Sequence, residues 1–553
     1  MIKKVTISLA RRHLYHPISL AYPVVFPPPS RCHLKPSILI DNHFEGSLIS
    51  LMKKHGTGKA SNGGQCTYTL SPPPAPTVDW CDVARMAIDT LPDDVLLEIF
   101  EFHLGGARIE AWITLVHVSR KWRCVVFGSP RRLNLRLDCR ARTPVRERVR
   151  VWPPLPIVIS GNGKEEWGVD NIIAALEHND RVCGVELWRV TSSQMEKVLA
   201  AMQEPFPALT YLELVSKDKT ERVVPDSFLG GSAPRLRSLS LDRIPFPGLL
   251  RLLLSATDLV NLSLSGVPLS GYISPEAMVA GLSTLTRLKS LWLEFQSPLG
   301  ETLPPPPSRA LLPALTRFEF KGFCGYLEDL LARIDAPLLD DLNVTFFYQL
   351  IFDTPQLAQF ISRTPKFKAP DEAYVKFSDR DVSLTLPRSA GGTFDGTFHV
   401  AISCSDSLWQ LSSLTQLCMS PLYQALIPTI EHLYILDVEF LRPCWQDDID
   451  DEESSQWLEL LRSFTAVIDL YLYREFVPFF AATLQELGSD SESVAEVLPA
   501  LQRLFLEDPW LSGSVQEIIN QFLARRRLSG DPIVVSLWNT GREKYKWYEL
   551  VDW

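Results

Sequence analysis

From residue 182 onward the chain repeats one short pattern of apolar and polar positions. VCGVEL (182–187), LTYLEL (209–214), LRSLSL (236–241), LVNLSL (259–264), LKSLWL (288–293) and LTRFEF (315–320) share a frame of apolar-x-x-apolar-x-apolar, and a seventh copy begins at Leu339. Successive starts lie 27, 27, 23, 29, 27 and 24 residues apart. Alternation of this kind is that of a short strand with one buried face. Helical stretches such as PGLLRLLLSAT and PEAMVAGLSTLT fall between the copies, so each unit is expected to be a strand followed by a returning helix or turn. IEHLYI (430–435), VIDLYL (467–472) and LQRLFL (501–506) restore the frame at wider spacing. Between about 345 and 430, YVKF, VSLTL and FHVAI alternate like strands without a clean period.

A period of 23–29 residues is that of a leucine-rich repeat, whose units each bury too little alone and stack into a continuous core. The expected fold class is therefore α/β, a solenoid of parallel strands with returning helices over residues 161–553. The Asn that closes many such repeats is missing from most units, which leaves their number and curvature open, and an unrelated multi-domain α/β arrangement is the competing reading.

Upstream the pattern changes. LPDDVLLEIFEFHL (91–104) predicts a helix with Pro92 at its first position and Asp93 and Asp94 at the positive end of its dipole. Val95, Leu96, Ile99, Phe100 and Leu104 line one face, and Gly105-Gly106 ends it. A second helix is expected over about 110–127, where Trp112, Leu115, Val116, Ser119, Trp122 and Val126 recur at helical spacing. Two such helices bury too little to fold alone and need a partner surface.

Composition changes the picture at the amino terminus. Residues 1–80 hold nine Lys/Arg against three acids and ten prolines, so residues 1–85 are read as a disordered, basic, Pro-rich leader. The leader is basic and acid-poor enough for an organelle presequence, which stays open as an alternative. The net charge of −10 leaves the remainder strongly acidic and argues against nucleic acid as a partner. No apolar run reaches the roughly 18–20 residues of a membrane helix, so no membrane partner is expected. Ten Cys without a CxxC pair exclude the usual zinc frameworks and do not look like a disulfide scaffold. Reduced thiols in a cytoplasmic or nuclear protein are the expectation.

LPDDVLLEIFEFHL followed by WITLVHVSRKWRCVV resembles an F-box, the helical module that docks on the Skp adaptor of cullin–RING ubiquitin ligases. The match lies in Leu91-Pro92, Leu96, Ile99-Phe100, Leu115, Val118, Arg120 and Trp122-Arg123, in the family's order. Ser119 stands where the family often has Cys, and the connector GGARIEAW is somewhat long. The resemblance covers under a tenth of the chain. It implies an F-box at 88–130, with Leu91, Pro92, Leu96, Ile99, Phe100, Leu115, Val118 and Trp122 binding the Skp adaptor. Residues 131–160, with eight arginines up to Arg150, are read as a linker resembling the connection in fungal F-box proteins.

Strand residues between the inward leucines should face the open side of the sheet. Trp188, Tyr211, Glu213, Trp292, Arg317, Tyr434 and Tyr471 are the candidate target-binding residues there, aromatic anchors interleaved with charge. Competing chemistry is weak. HGTGKA and SGNGKEE lack the rest of a phosphate loop, which leaves Lys59 and Lys164 as loop residues. DDIDDEE (447–453) lacks the spacing of a calcium loop, Pro304–Pro307 reads as an extended connection, and no nucleophile–base motif is present. The expectation is a non-catalytic substrate adaptor without cofactor, metal or small-molecule substrate. A repeat scaffold whose hairpin is only an end cap, and an unrecognised hydrolase, are the alternatives.

Overall fold

The computed structural model describes residues 91–104, 115, 117–128, 135–142, 144–151, 154–162, 168–218, 223–295, 309–347, 354–367, 370–390, 393–404, 407–437, 451–486, 497–507, 513–528 and 530–538. The leader (1–85), Gly105-Gly106, Trp112, Val116, Lys59, Lys164, Pro304–Pro307 and residues 447–450 lie outside them.

A helical pair opens the described chain: α1 (Asp93–Leu104) and α2 (Arg120–Gly128). Then come β1 (Leu135–Asp138), α3 (Val145–Val151), β2 (Ile157–Asn162), α4 (Val169–Leu176), β3 (Val182–Val190), α5 (Ser192–Ala201), β4 (Tyr211–Ser216) and β5 (Ser238–Asp242). The series continues with α6 (Leu249–Ser255), β6 (Asn261–Val267), α7 (Pro275–Leu282), β7 (Ser290–Phe295), β8 (Arg317–Gly322), α8 (Cys324–Leu331), β9 (Asp341–Phe347) and α9 (Pro355–Arg363). Next are β10 (Glu372–Phe377), β11 (Asp381–Ala390), β12 (Thr393–Ser403), α10 (Ser407–Met419), α11 (Pro421–Leu426) and β13 (His432–Asp437). The last elements are α12 (Asp451–Arg462), β14 (Asp469–Leu472), α13 (Val477–Glu486), β15 (Arg503–Leu506), α14 (Gly513–Leu528) and β16 (Val534–Leu537).

The protein is mixed α/β, and these sixteen strands form one large, mostly parallel sheet. Strands β1 to β9 lie side by side in chain order. Each copy of the apolar frame puts two alternate residues on the same buried face: Val185 and Leu187, Leu212 and Leu214, Leu239 and Leu241, Leu262 and Leu264, Leu291 and Leu293, Phe318 and Phe320, Leu342 and Val344. The leading apolar residue of each copy is buried as well, from Val182 and Leu209 through Leu339. Inter-strand pairing aligns these positions one to one, as in Leu239↔Leu262 and Leu262↔Leu291. Helices of adjacent units also pack on one another, α3 on α4, α4 on α5, α6 on α7, α7 on α8 and α8 on α9.

Order breaks once. After α9 the chain passes over two places, lays down β10, and returns through β11 and β12 to the edge of β9, giving the spatial order β9-β12-β11-β10-β13. Strand β11 is antiparallel to both neighbours, while β12 is parallel to β9 and β10 to β13. The aperiodic segments YVKF, VSLTL and FHVAI are these three strands. Hairpin connections carry no helix, so the helical spacing between apolar frames is lost there.

Helix starts are held by specific side chains. Ser274 Oγ accepts from Ala277 N at 3.3 Å, one residue ahead of Pro275 at the first position of α7. Buried Glu328 on α8 accepts from the backbone of Gln356 at 2.7 Å and Leu357 at 2.9 Å, capping α9 from its neighbour.

One boundary differs from the sequence reading. Residues 131–160, expected to be an Arg-rich linker ahead of a domain starting at 161, supply β1, α3 and β2, the first members of the sheet. The reason is amphipathicity on a short period: Leu135, Leu137, Val145, Val149, Leu155, Ile157 and Ile159 turn inward, while Arg136, Arg140, Arg142, Arg146 and Arg150 are exposed.

We expect Leu291→Ala to destabilise the chain by about 2–5 kcal/mol, read as a fall in urea midpoint. Glu294→Gln, three residues away on the opposite face of the same strand, should change it by less than about 0.5 kcal/mol.

Candidate protein-interaction surfaces

Two surfaces carry the candidate residues. On the helical pair, the Phe100 and Trp122 rings lie 4.8 Å apart at 60°, and Ser119 Oγ accepts from Trp122 N at 3.1 Å to start α2. Lys121 Nζ donates to Leu91 O at 2.6 Å and approaches Asp93 at 3.7 Å, tying α2 to the start of α1. Leu96, Phe100, Leu115 and Trp122 are buried in a core cluster that also contains Leu135, Leu137 and the residues of the later strands. Half-buried Leu91 packs against that cluster.

Of the expected docking set, Leu96, Phe100, Leu115 and Trp122 are buried within the chain's own core. Exposed apolar residues remain beside them: Val95 (42% exposed) and Ile99 (45%) on α1, Pro92 just ahead of α1, and Val118 (52%) just ahead of α2. Of the eight residues read as docking residues, Pro92, Ile99 and Val118 lie outward, and Val95 joins them.

The second surface is the sheet face opposite the buried leucines. Paired residues form one row across it: Asp138, Ser160, Glu186, Glu213, Ser240, Ser263, Trp292, Glu319, Asn343, His399, Thr385, Tyr374, Tyr434, Tyr471, Phe505 and Ser536. Tyr211 and Arg317 lie on the same face two residues earlier in their strands. Trp188 follows Glu186 by two residues and is 47% exposed, just before Arg189, whose φ of 58° breaks the register of β3 with β4. All seven candidate target-binding residues therefore share one side of the sheet.

The row divides by chemistry. Over β10 and β13–β15 it is aromatic: Tyr374 stacks on Tyr434 at 4.3 Å and 8°, Tyr434 on Tyr471 at 4.2 Å and 10°, and Tyr471 on Phe505 at 4.3 Å and 5°. Trp538 packs edge-on against Tyr471 at 5.4 Å. Beside the stack, buried Asp469 accepts from Arg503 through both its oxygens, with Nη2–Oδ2 at 2.6 Å, and lies 2.8 Å from His432 Nδ1. These paired hydrogen bonds to the Asp469 carboxylate, with its charge, hold the Arg503 guanidinium above its ordinary pKa.

No family model matches the chain, and no curated protein matches it either.

Over β3–β9 the face is acidic. Glu213 accepts from the Tyr211 hydroxyl at 2.5 Å. Burial raises the carboxyls of Glu213, Asp242, Glu319 and Asp341 above their ordinary range, and neighbouring acids add to the rise. Arg317 lies 3.3 Å from Asp341 and Lys321 2.8 Å from Glu294. Trp292 Nε1 and Asn343 Oδ1, on either side of Glu319 in the row, are buried without a hydrogen-bond partner.

Between the zones, His399 Nδ1 and Thr385 Oγ1 are 2.7 Å apart. Burial, with the Lys376 charge nearby, pushes the imidazole down to about 4. Tyr374, Thr385 and His399 are not singled out by sequence. Their strands are visible as alternation, but only the antiparallel register carries them into the row.

Among the described residues there is no group of three or more His, Cys, Asp or Glu placed to hold a metal ion, and no helix long and apolar enough to cross a membrane.

His399 yields a pH prediction. Its folded pKa is depressed, so the stability tied to the neutral ring is fully present above the unfolded value of about 6.5 and is lost as pH falls from there to about 4. Ring NMR signals should show no protonation above about pH 5. His399→Gln should flatten the pH dependence of the thermal midpoint across that window.

Proposed function

We propose that this chain is the substrate-recognition adaptor of an SCF-type cullin–RING ubiquitin ligase. The observation that carries the reading is the exposed apolar residues at the helical pair, Val95 and Ile99 on α1 with Pro92 and Val118 just ahead of the two helices, while Leu96, Phe100 and Trp122 are committed to the chain's own core. Exposed apolar side chains that form one patch mark a docking surface. The sequence order Leu91-Pro92, Leu96, Ile99-Phe100, Leu115, Val118, Arg120 and Trp122-Arg123 resembles an F-box, so the occupant of the patch would be the Skp adaptor. On this reading the large sheet is a leucine-rich repeat solenoid, supported by its in-register inward leucines, and its open face holds the target protein.

In that arrangement the adaptor performs no chemistry. It places a target lysine near the ligase's conjugating enzyme, and the gain comes from effective concentration and orientation. Rigid aromatics on the open face lose little conformational freedom when a target docks, which suits them as anchors.

A second reading has one observation in its favour. The inner face of the helical pair belongs to the same core cluster as β1 and β2, as a plain end cap of a protein-interaction scaffold would.

The two separate in a direct capture assay with purified Skp adaptor. The adaptor reading expects capture by the parent chain, and at least a tenfold loss in Ile99→Glu with Val118→Glu while circular dichroism is unchanged. No capture by the parent, or undiminished capture by the double variant, overturns the proposal.

A further inference from the structure

At one spot on the open face an aromatic group is already seated, and it belongs to the chain itself. Trp538 N donates to Leu506 O at 2.8 Å, which continues the pairing of β16 with β15. Its ring reaches past β15, lying 5.4 Å from Tyr471 on β14 and 6.1 Å from Tyr434 on β13. The rings are steeply inclined, at 68° and 59°.

The aromatic stack limits what can take that place. Tyr434 lies between Tyr374 and Tyr471, and Tyr471 between Tyr434 and Phe505, so a stacked neighbour covers both faces of each ring. Only ring edges remain for a partner. A ring edge is the positive part of the aromatic quadrupole and attracts the negative face of another ring. Lys and Arg side chains need a ring face, and those faces are taken. Trp538 meets the edges at the inclination this chemistry favours.

The strand that carries Trp538 is weakly held. Strand β16 is the last of the sheet and pairs with β15 alone. Val535 stands in the inward row with Leu504, Leu470 and Leu433, yet it is 39% exposed where those three are buried. The apolar burial that fixes the other strands is therefore only partly collected here.

Resting on the reading of the open face as the target-holding surface, we infer that Trp538 is a displaceable stand-in for the target. The target docks an aromatic side chain, an indole foremost, with its ring face on the edges of Tyr434 and Tyr471. Docking requires Trp538 to leave, so the apparent affinity is the intrinsic one reduced by the fraction of molecules in which the place is open. A place filled about nine-tenths of the time binds about tenfold more weakly.

The test selects a random heptapeptide display library on the full chain. Enriched peptides are labelled with fluorescein and followed by anisotropy against the parent, Trp538→Ala, Tyr434→Leu/Tyr471→Leu, and Trp409→Ala on α10 as a control. The inference expects enriched peptides to carry Trp, Tyr or Phe. Their affinity should rise at least about fivefold in Trp538→Ala, fall at least tenfold in the tyrosine variant, and change less than twofold in the control. Hydrogen exchange on the parent needs no variant: the amides of Val534–Trp538 should exchange faster with peptide bound. Enriched peptides without an aromatic residue, no enrichment, unchanged or weaker binding in Trp538→Ala, binding indifferent to the tyrosine variant, or slowed exchange in β16 each overturn it. Skp-adaptor capture is scored in parallel. Capture with failed peptide behaviour overturns this inference alone, and the expected peptide behaviour without capture overturns the adaptor reading alone.

Discussion

The structure depends on the alignment of inward side chains between neighbouring strands. Each strand offers two such side chains, and their lateral neighbours are the same two positions on the next strand, as with Leu239, Leu262 and Leu291. A single strand and its helix could not exclude water from them. The free energy of apolar burial, on the order of 25 cal/mol per Å², is collected only when adjacent units are in register, so the hydrogen-bonded pairing and the hydrophobic core enforce one another. The same constraint explains Glu328, which uses a buried carboxylate to start the next unit's helix where a local cap is missing.

Fixing the inner face also fixes the outer one. Because side chains alternate along a strand, whatever lies between two inward leucines is placed in a straight line with its counterparts on other strands. Residues far apart in the chain thereby become neighbours. Tyr374, Tyr434, Tyr471 and Phe505 span more than a hundred residues of sequence yet stack with ring centroids 4.2–4.3 Å apart. Acids that would otherwise avoid one another, Glu186 and Glu213 among them, are brought side by side. The open face is thus two chemically different halves of one surface, with a neutral imidazole, His399, at the border.

Much of this is legible in the sequence. The apolar frame marks the inward rows from Val182 to Val344 because burial on one face leaves the plainest trace a sequence can carry, and the outward positions follow by parity. Three things are hidden. Leu135, Leu137, Val145 and Val149 are the inward residues of the first units, but arginines between them give 131–160 the look of a linker. The outer and inner sides of the helical pair are not separable by periodicity, since Phe100 and Ile99 both belong to the apolar stripe and only packing decides which is covered. The place of Tyr374 in the aromatic row cannot be read, because it rests on a reversal of strand direction that local pattern does not encode.

That reversal has a consequence for how the molecule assembles. Strand β13 has no edge to join except β10, which lies on the far side of the meander from β9. The carboxy-terminal strands therefore build outward from the hairpins β10–β12, and among the strands the two halves meet along the β9–β12 seam. A break in that seam would leave each half with its leucine rows intact, parting the acidic zone from the aromatic one and costing the surface its continuity while sparing most of its secondary structure.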